Sequence, residues 1–229
     1  MAADQKSKEI VEAALKIAPT EFDKDFKVYV DQQLGTVVAQ FQPWQHALAE
    51  TGEAVRAKDW RLVAAKSQEA IDLFPDFVDQ GSPYIAKARA HKELKETALM
   101  TSTLLEYRKR GGYDPDALLS LAKSLADANR RDDSIGVLQD VLMVAPLRAE
   151  VHLQLGEQLL AAGRAADAVT EYKALLAMAP QDMADAHYRL AKAYFAASDR
   201  ASSREHLLYA LEIAPHYREA QQLLLEVVR

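Results

Sequence analysis

Apolar positions recur at helical spacing along most of the chain. In residues 5–18, Ile10, Val11, Ala14, Leu15 and Ile17 share one face of a helix. Residues 20–34 give a second amphipathic helix, with Phe22, Phe26, Val28, Tyr29 and Val30 supplying its apolar side. Thr20, after Pro19, reads as its N-cap, with Asp23 approximating the acid of a capping box. Gly35 closes this helix, 36–43 form a connector, and Pro43 opens the next element. No alternating β-branched stretch is long enough to argue for a sheet.

From residue 43 the pattern becomes one of paired helices. QHALAETGEAVRA and DWRLVAAKSQEAIDLFP make one pair, with Asp59 capping the second member and Pro75 ending it. SPYIAKARAHKEL and KETALMTSTLLEYRKRGG make another, opened by Ser82-Pro83 and stopped by Gly111-Gly112. In that pair either Ala86 or Ala88 can be the small inner residue. Beyond it the pattern repeats with a fixed period. Pro146, Pro180 and Pro215 each end an apolar stretch and stand 34 and 35 positions apart. Pro75 lies 71 positions before Pro146, close to two further periods. Residues 217–229 are left as a single helix to cover the last apolar edge.

The repeat extends to side-chain size. Ahead of each proline lie LAKSL at 121–125, LGEQL at 155–159 and LAKAY at 190–194. Ala122, Gly156 and Ala191 hold the small position of the first helix, and Ser134, Ala168 and Ser203 that of the second. Small residues are needed where two helices cross closely. This pattern resembles the tetratricopeptide repeat, a helix–turn–helix unit with the pattern W-x2-L-G-x2-Y…A-x3-F…P. The chain departs from it at the first position, which is Leu118, His152 and His187. The resemblance implies an all-α fold: a right-handed α-solenoid of stacked helix pairs with a C-terminal capping helix. The expected organisation is 1–42 as a helical pair and connector, 43–113 as two degenerate pairs, 114–216 as three repeats and 217–229 as the cap.

Composition fits that reading. Of 229 residues, 49% are apolar and 27% charged, ordinary for a globular chain. The net charge of −6 argues against nucleic acid as the main ligand. The basic run Arg108-Lys109-Arg110 sits where a helix C-terminus favours cations, and otherwise would be an anion patch. With no cysteine there is no disulfide, thiolate nucleophile or cysteine metal site. No stretch approaches the roughly 18 apolar residues of a membrane span.

Candidate chemistry is sparse. The six histidines include no H-E-x-x-H, and none of the phosphate-loop, dinucleotide or nucleophile-elbow patterns occurs. His152 and His187 share one repeat position and read as packing residues. Asp132-Asp133 opens a helix and reads as a cap and dipole pair. These absences predict a chain that is not an enzyme and needs no cofactor or metal.

The resemblance also implies a binding face. First helices line the concave side of such arrays, which places Leu119, Ser120, Lys123 and Asp127, then Leu153, Gln154, Glu157 and Leu160, then Tyr188, Arg189, Lys192 and Phe195 there. The expected ligand is a protein or peptide segment, extended or helical. Lys123, Arg189 and Lys192 would favour acidic and apolar partners, with Phe195 as an anchor; Tyr188 and Phe195 can equally pack against the next helix. The asparagines of the carboxylate clamp found in co-chaperone relatives are missing.

A second resemblance concerns the front of the chain. EIVEAALKIAPTEFDKDFKVYVDQQLG looks like the tail that follows bacterial peptidase-MA-type zinc metallopeptidase domains, although that family's zinc motif is absent. It implies an accessory, noncatalytic part of a larger secreted or envelope protein, periplasmic or extracellular. Without it, the expectation is a cytoplasmic interaction scaffold.

Overall fold

The computed structural model describes residues 9, 10, 12–14 and 16–229. Among them there is helix and no strand. The chain divides into two compact units, Met1–Phe77 and Val78–Arg229. Of the expected first helix, residues 9, 10 and 12–14 are helical, while Val11 and Leu15 lie outside the described residues.

The first unit is built on α1 (Pro19–Ala57) and α2 (Trp60–Leu73). Here the structure corrects the sequence reading. The N-cap is Ala18, in an extended conformation without a side-chain cap, and Pro19 rather than Thr20 opens the helix. Gly35 does not end it, and the expected connector 36–43 is helical throughout. Pro43, expected at a helix start, lies inside α1. Proline removes one backbone donor and crowds the preceding turn, so something must offset it. Trp44, the next residue, packs with ring centroids 5.7, 5.3 and 5.0 Å from Phe41, Phe74 and Phe77. Ala47, Thr51 and Ala54 are then buried at helical spacing against Val63, Ser67 and Ala70 of α2. Asp59 caps α2 as expected, accepting from the Leu62 N–H at 3.1 Å. Earlier in α1, Phe26, Tyr29, Val38 and Phe41 are exposed.

The second unit contains α3 (Pro83–Glu93), α4 (Thr97–Lys109), α5 (Pro115–Asp127), α6 (Arg131–Val144), α7 (Ala149–Ala161), α8 (Ala165–Ala177), α9 (Met183–Ala196), α10 (Arg200–Ile213) and α11 (Arg218–Val227). Successive helices pack in antiparallel pairs. Each pair turns on one residue in the left-handed region: Lys95, Asn129, Gly163 and Ser198, spaced 34, 34 and 35 positions. The next residue closes the turn by donating its N–H five residues back: Glu96 to His91, Arg130 to Leu125, Arg164 to Leu159, Asp199 to Tyr194, at 2.8–2.9 Å. This six-to-one bond satisfies carbonyls that a helix end would otherwise leave orphaned.

The small positions fall where the helices cross. Ala122, Gly156 and Ala191 are buried, as are Ser134, Ala168 and Ser203. A Cβ on Gly156 would stand 2.6 Å from the Tyr172 ring. The Ser134 hydroxyl donates to the Ala122 carbonyl at 2.8 Å, joining the two small positions of one repeat. In α3 it is Ala88, 34 positions before Ala122, that is buried, which settles the choice against Ala86. At the far end Ala220 and Val227 of α11 close over Ala191, Leu207 and Ala210. Helices α3–α11 form a right-handed α-solenoid of stacked helix–turn–helix repeats with α11 as its cap.

Candidate functional site

A cavity of about 520 Å³ opens between α7, α9 and the start of α11. Leu160 and Ala161 of α7 and Tyr188 of α9 give it an apolar side, and Tyr172 of α8 lies at its floor. Tyr188 and Tyr217 approach with ring centroids 5.0 Å apart. A smaller cavity of about 260 Å³ lies between α3, α4 and α5, over Ala88, Met100 and Leu104.

The larger groove is organised by a polar network that joins two successive helix pairs and the start of the capping helix. Arg189 donates through Nε to Asp185, one turn earlier on α9, at 2.5 Å. Its Nη1 donates to Glu157 on α7. Asp185 also accepts from the Tyr217 hydroxyl at 2.9 Å. Burial works against the Arg189 charge, but the hydrogen bonds and attraction of Asp185 and Glu157 outweigh it and raise its pKa. Burial, reinforced by the Glu157 charge, pushes the Tyr172 phenol up to about 12. Tyr217 is raised by burial and by its hydrogen bond to Asp185, and Tyr188 by burial and the nearby Glu219. All three phenols therefore stay neutral and act as hydrogen-bonding, apolar-faced walls.

Five of the residues expected on the binding face meet at this groove: Glu157, Leu160, Tyr188, Arg189 and Lys192. The other seven do not line it: Leu119 and Leu153 are half-buried on α5 and α7, and Asp127 is exposed at the end of α5. Lys123 is exposed on α5 and Gln154 is half-buried on α7. Phe195 packs against the Ala191–Leu207 cluster, with the Arg200 guanidinium 5.6 Å from its ring centroid. Ser120 lines the smaller cavity. Sequence reasoning missed Tyr172, Asp185, Tyr217 and Glu219. One signal for Asp185 was available: it precedes Arg189 by four positions, the spacing of a helical ion pair.

His152, His187 and His206 pack between helices. His152 is buried, with Nε2 2.9 Å from the Pro146 carbonyl and Nδ1 2.7 Å from Glu171. His187 of α9 stacks on His206 of α10 with their Nδ1 atoms 2.9 Å apart. Among the described residues no group of three or more His, Asp or Glu side chains is placed to hold a metal ion. No described helix is long and apolar enough to cross a membrane.

The stacked helix–turn–helix geometry is similar to that of tetratricopeptide-repeat proteins. Residues 119–182 and 153–218 match the family model of the tetratricopeptide repeat, so the segment from 119 to 218 consists of such repeats. No curated protein matches the chain in sequence. Among solved structures it is similar to YrrB, described as a TPR protein with an unusual peptide-binding site. That likeness has a TM-score of 0.62 at 16% identity and covers 77% of this chain and 89% of that one. It is also similar to the MamA protein, at 0.58 and 14% identity over 74% and 90% of the two chains. A third is the MamA segment from residue 41 of Desulfovibrio magneticus RS-1, at 0.54 and 22% identity over 63% and 81%. At these identities the likeness is one of fold.

Proposed function

We propose that the chain is a noncatalytic protein-interaction module that holds a peptide segment in the groove between α7, α9 and α11. The observation that carries this reading is the groove itself. Leu160, Ala161, Tyr188 and Tyr217 present apolar surface that the chain leaves uncovered, beside charged groups at the rim. Apolar contact gives affinity and a few placed polar groups give register, which is how concave sites bind segments. Of the cations expected to grip the ligand, Lys192 has the freer ammonium. Arg189 holds the groove together, because Asp185 and Glu157 already engage it. The YrrB description favours the same reading, since a peptide site occurs on a fold similar to this one.

Selection of a random-peptide display library on the folded chain tests the proposal. Selected peptides should lose about tenfold or more in affinity for Leu160→Asn, a neutral polar group set on the apolar side of the groove. Equal affinity for the variant, with an unchanged melting curve, contradicts it.

The second reading is an accessory region of a larger metallopeptidase-like protein. It rests on the resemblance of the segment up to residue 35 and is favoured by the apolar side chains that α1 leaves exposed between Phe26 and Phe41. The gene sequence ahead of Met1 tests it: a domain bearing H-E-x-x-H supports the reading, and any other sequence contradicts it.

A further inference from the structure

We propose that the groove selects a segment carrying a lysine or arginine, with that cation placed over Tyr188 and Tyr217 and facing Glu219. This rests on the reading that the groove holds a peptide, and it reverses the acidic preference that the sequence alone suggests.

The groove's ionised groups do not cancel. Five ionised side chains line the groove: Glu157, Asp185, Arg189, Lys192 and Glu219. Three are acids and two are bases, a balance of −1. Arg189 is bound by two of the acids at once. Its fork is directed into Asp185 and Glu157 and is not offered to a ligand. The trio of Glu157, Asp185 and Arg189 thus carries −1 by itself. Asp185 has both oxygens engaged, one by Arg189 and one by Tyr217. Glu157 bonds Arg189 through one oxygen. Glu219 stands in the first turn of α11, close enough to raise the pKa of both Tyr188 and Tyr217. Glu226, on the same helix, acts on Tyr188 in the same sense.

Two aromatic rings in contact, with carboxylates beside them, match a cation. Ring faces attract a guanidinium or ammonium through their quadrupole, more strongly when water is partly excluded. The aliphatic stem of such a side chain would lie along Leu160 and Ala161 while its head stays at the carboxylates. An acidic side chain would meet Glu219 and the residual charge of the trio, with Lys192 alone to receive it. The overall net charge of −6 acts in the same direction, because long-range attraction then favours basic partners.

The test uses the full chain and the same random-peptide display library, selected in parallel on the unaltered protein and on Glu219→Lys. The unaltered protein should enrich Lys and Arg over Asp and Glu at one position of the selected peptides. Glu219→Lys should erase or reverse that enrichment, and the best basic peptide should bind it about tenfold more weakly. Its affinity for the unaltered protein should also fall as salt is raised. Glu219→Gln, which removes the charge without reversing it, should give an intermediate loss; a melting curve shows that both variants fold. Enrichment of acidic residues overturns the charge inference, while loss of binding in Leu160→Asn would keep the groove as the site. Peptides that bind Glu219→Lys, Glu219→Gln and Leu160→Asn as well as the parent overturn both readings.

Discussion

Glu157 and Arg189 lie 32 positions apart, three short of the 35-position step from Gly156 to Ala191, and their side chains meet across the groove. The same separation joins Asp185 to Tyr217 and Arg108 to Asp140. In a 34-residue array, positions one period apart are equivalent on neighbouring repeats. A step of two or three fewer brings a side chain back toward the repeat before it, so polar contacts at this interval tie neighbours together without using the apolar core.

Arg189→Met should therefore lower stability, although Arg189 sits on a groove rather than in the core. It would leave Glu157 and Asp185 without their shared donor. The expected cost is about 1–2 kcal/mol, held to that range because Glu157 is 46% exposed and water screens it. Lys192→Met should stay within about 0.5 kcal/mol, because an exposed cation adds little. Urea melts of the two variants check the contrast; equal midpoints would show that Arg189 holds nothing.

Two glycines should respond in opposite directions to alanine. Gly156→Ala places a Cβ 2.6 Å from the buried Tyr172 ring, and should cost about 1–3 kcal/mol. Gly35→Ala places one in open space inside α1, and should stabilise by about 0.5–1 kcal/mol. Thermal melts of the pair test both the helix crossing and the continuity of α1.

The crossing was legible in the sequence and the continuity was not, for physical reasons. Gly156, Ala122 and Ala191 recur because the crossing admits no larger side chain, so geometry is written into residue size. The turns are just as regular in backbone, but Lys95, Asn129, Gly163 and Ser198 share no chemistry, since a single left-handed residue closed by a six-to-one bond tolerates many side chains. Gly35 and Pro43 carry real local penalties against helix, and the reading followed them. Trp44 packing on Phe74 and Phe77 decides otherwise, and that partnership spans some thirty positions. Tyr188 and Lys192 could be placed on the groove from repeat position alone. That Arg189 is bound by Glu157 could not, because it depends on which acid the neighbouring repeat presents.

Stability should fall in mild acid through the His187–His206 pair. Burial lowers both pKa values from the usual 6.5, and the His187 charge lowers that of His206 further. Tyr194, Tyr209, Lys173 and Glu205 surround the pair, and only Glu205 favours its protonation. With depressed folded-state values the unfolded chain binds protons first as pH falls. The pair's contribution is thus complete above about pH 6.5 and is lost between there and the lower folded-state values. One ring donates through Nδ1 and the other accepts at 2.9 Å, and charging both would set two donors face to face. His206→Gln should flatten the change in melting temperature between about pH 7 and pH 5.5, above the range in which carboxylates titrate. An unaltered slope would place the acid sensitivity elsewhere.

The most direct test of the account is where a bound peptide touches the chain. Amide chemical shifts should be followed while a display-selected peptide is titrated into the labelled protein. The largest changes should fall on 157–161 of α7, 185–192 of α9 and 217–219 at the start of α11. Changes centred instead on the second helices α6, α8 and α10, with these three segments unmoved, would contradict a binding groove at this place.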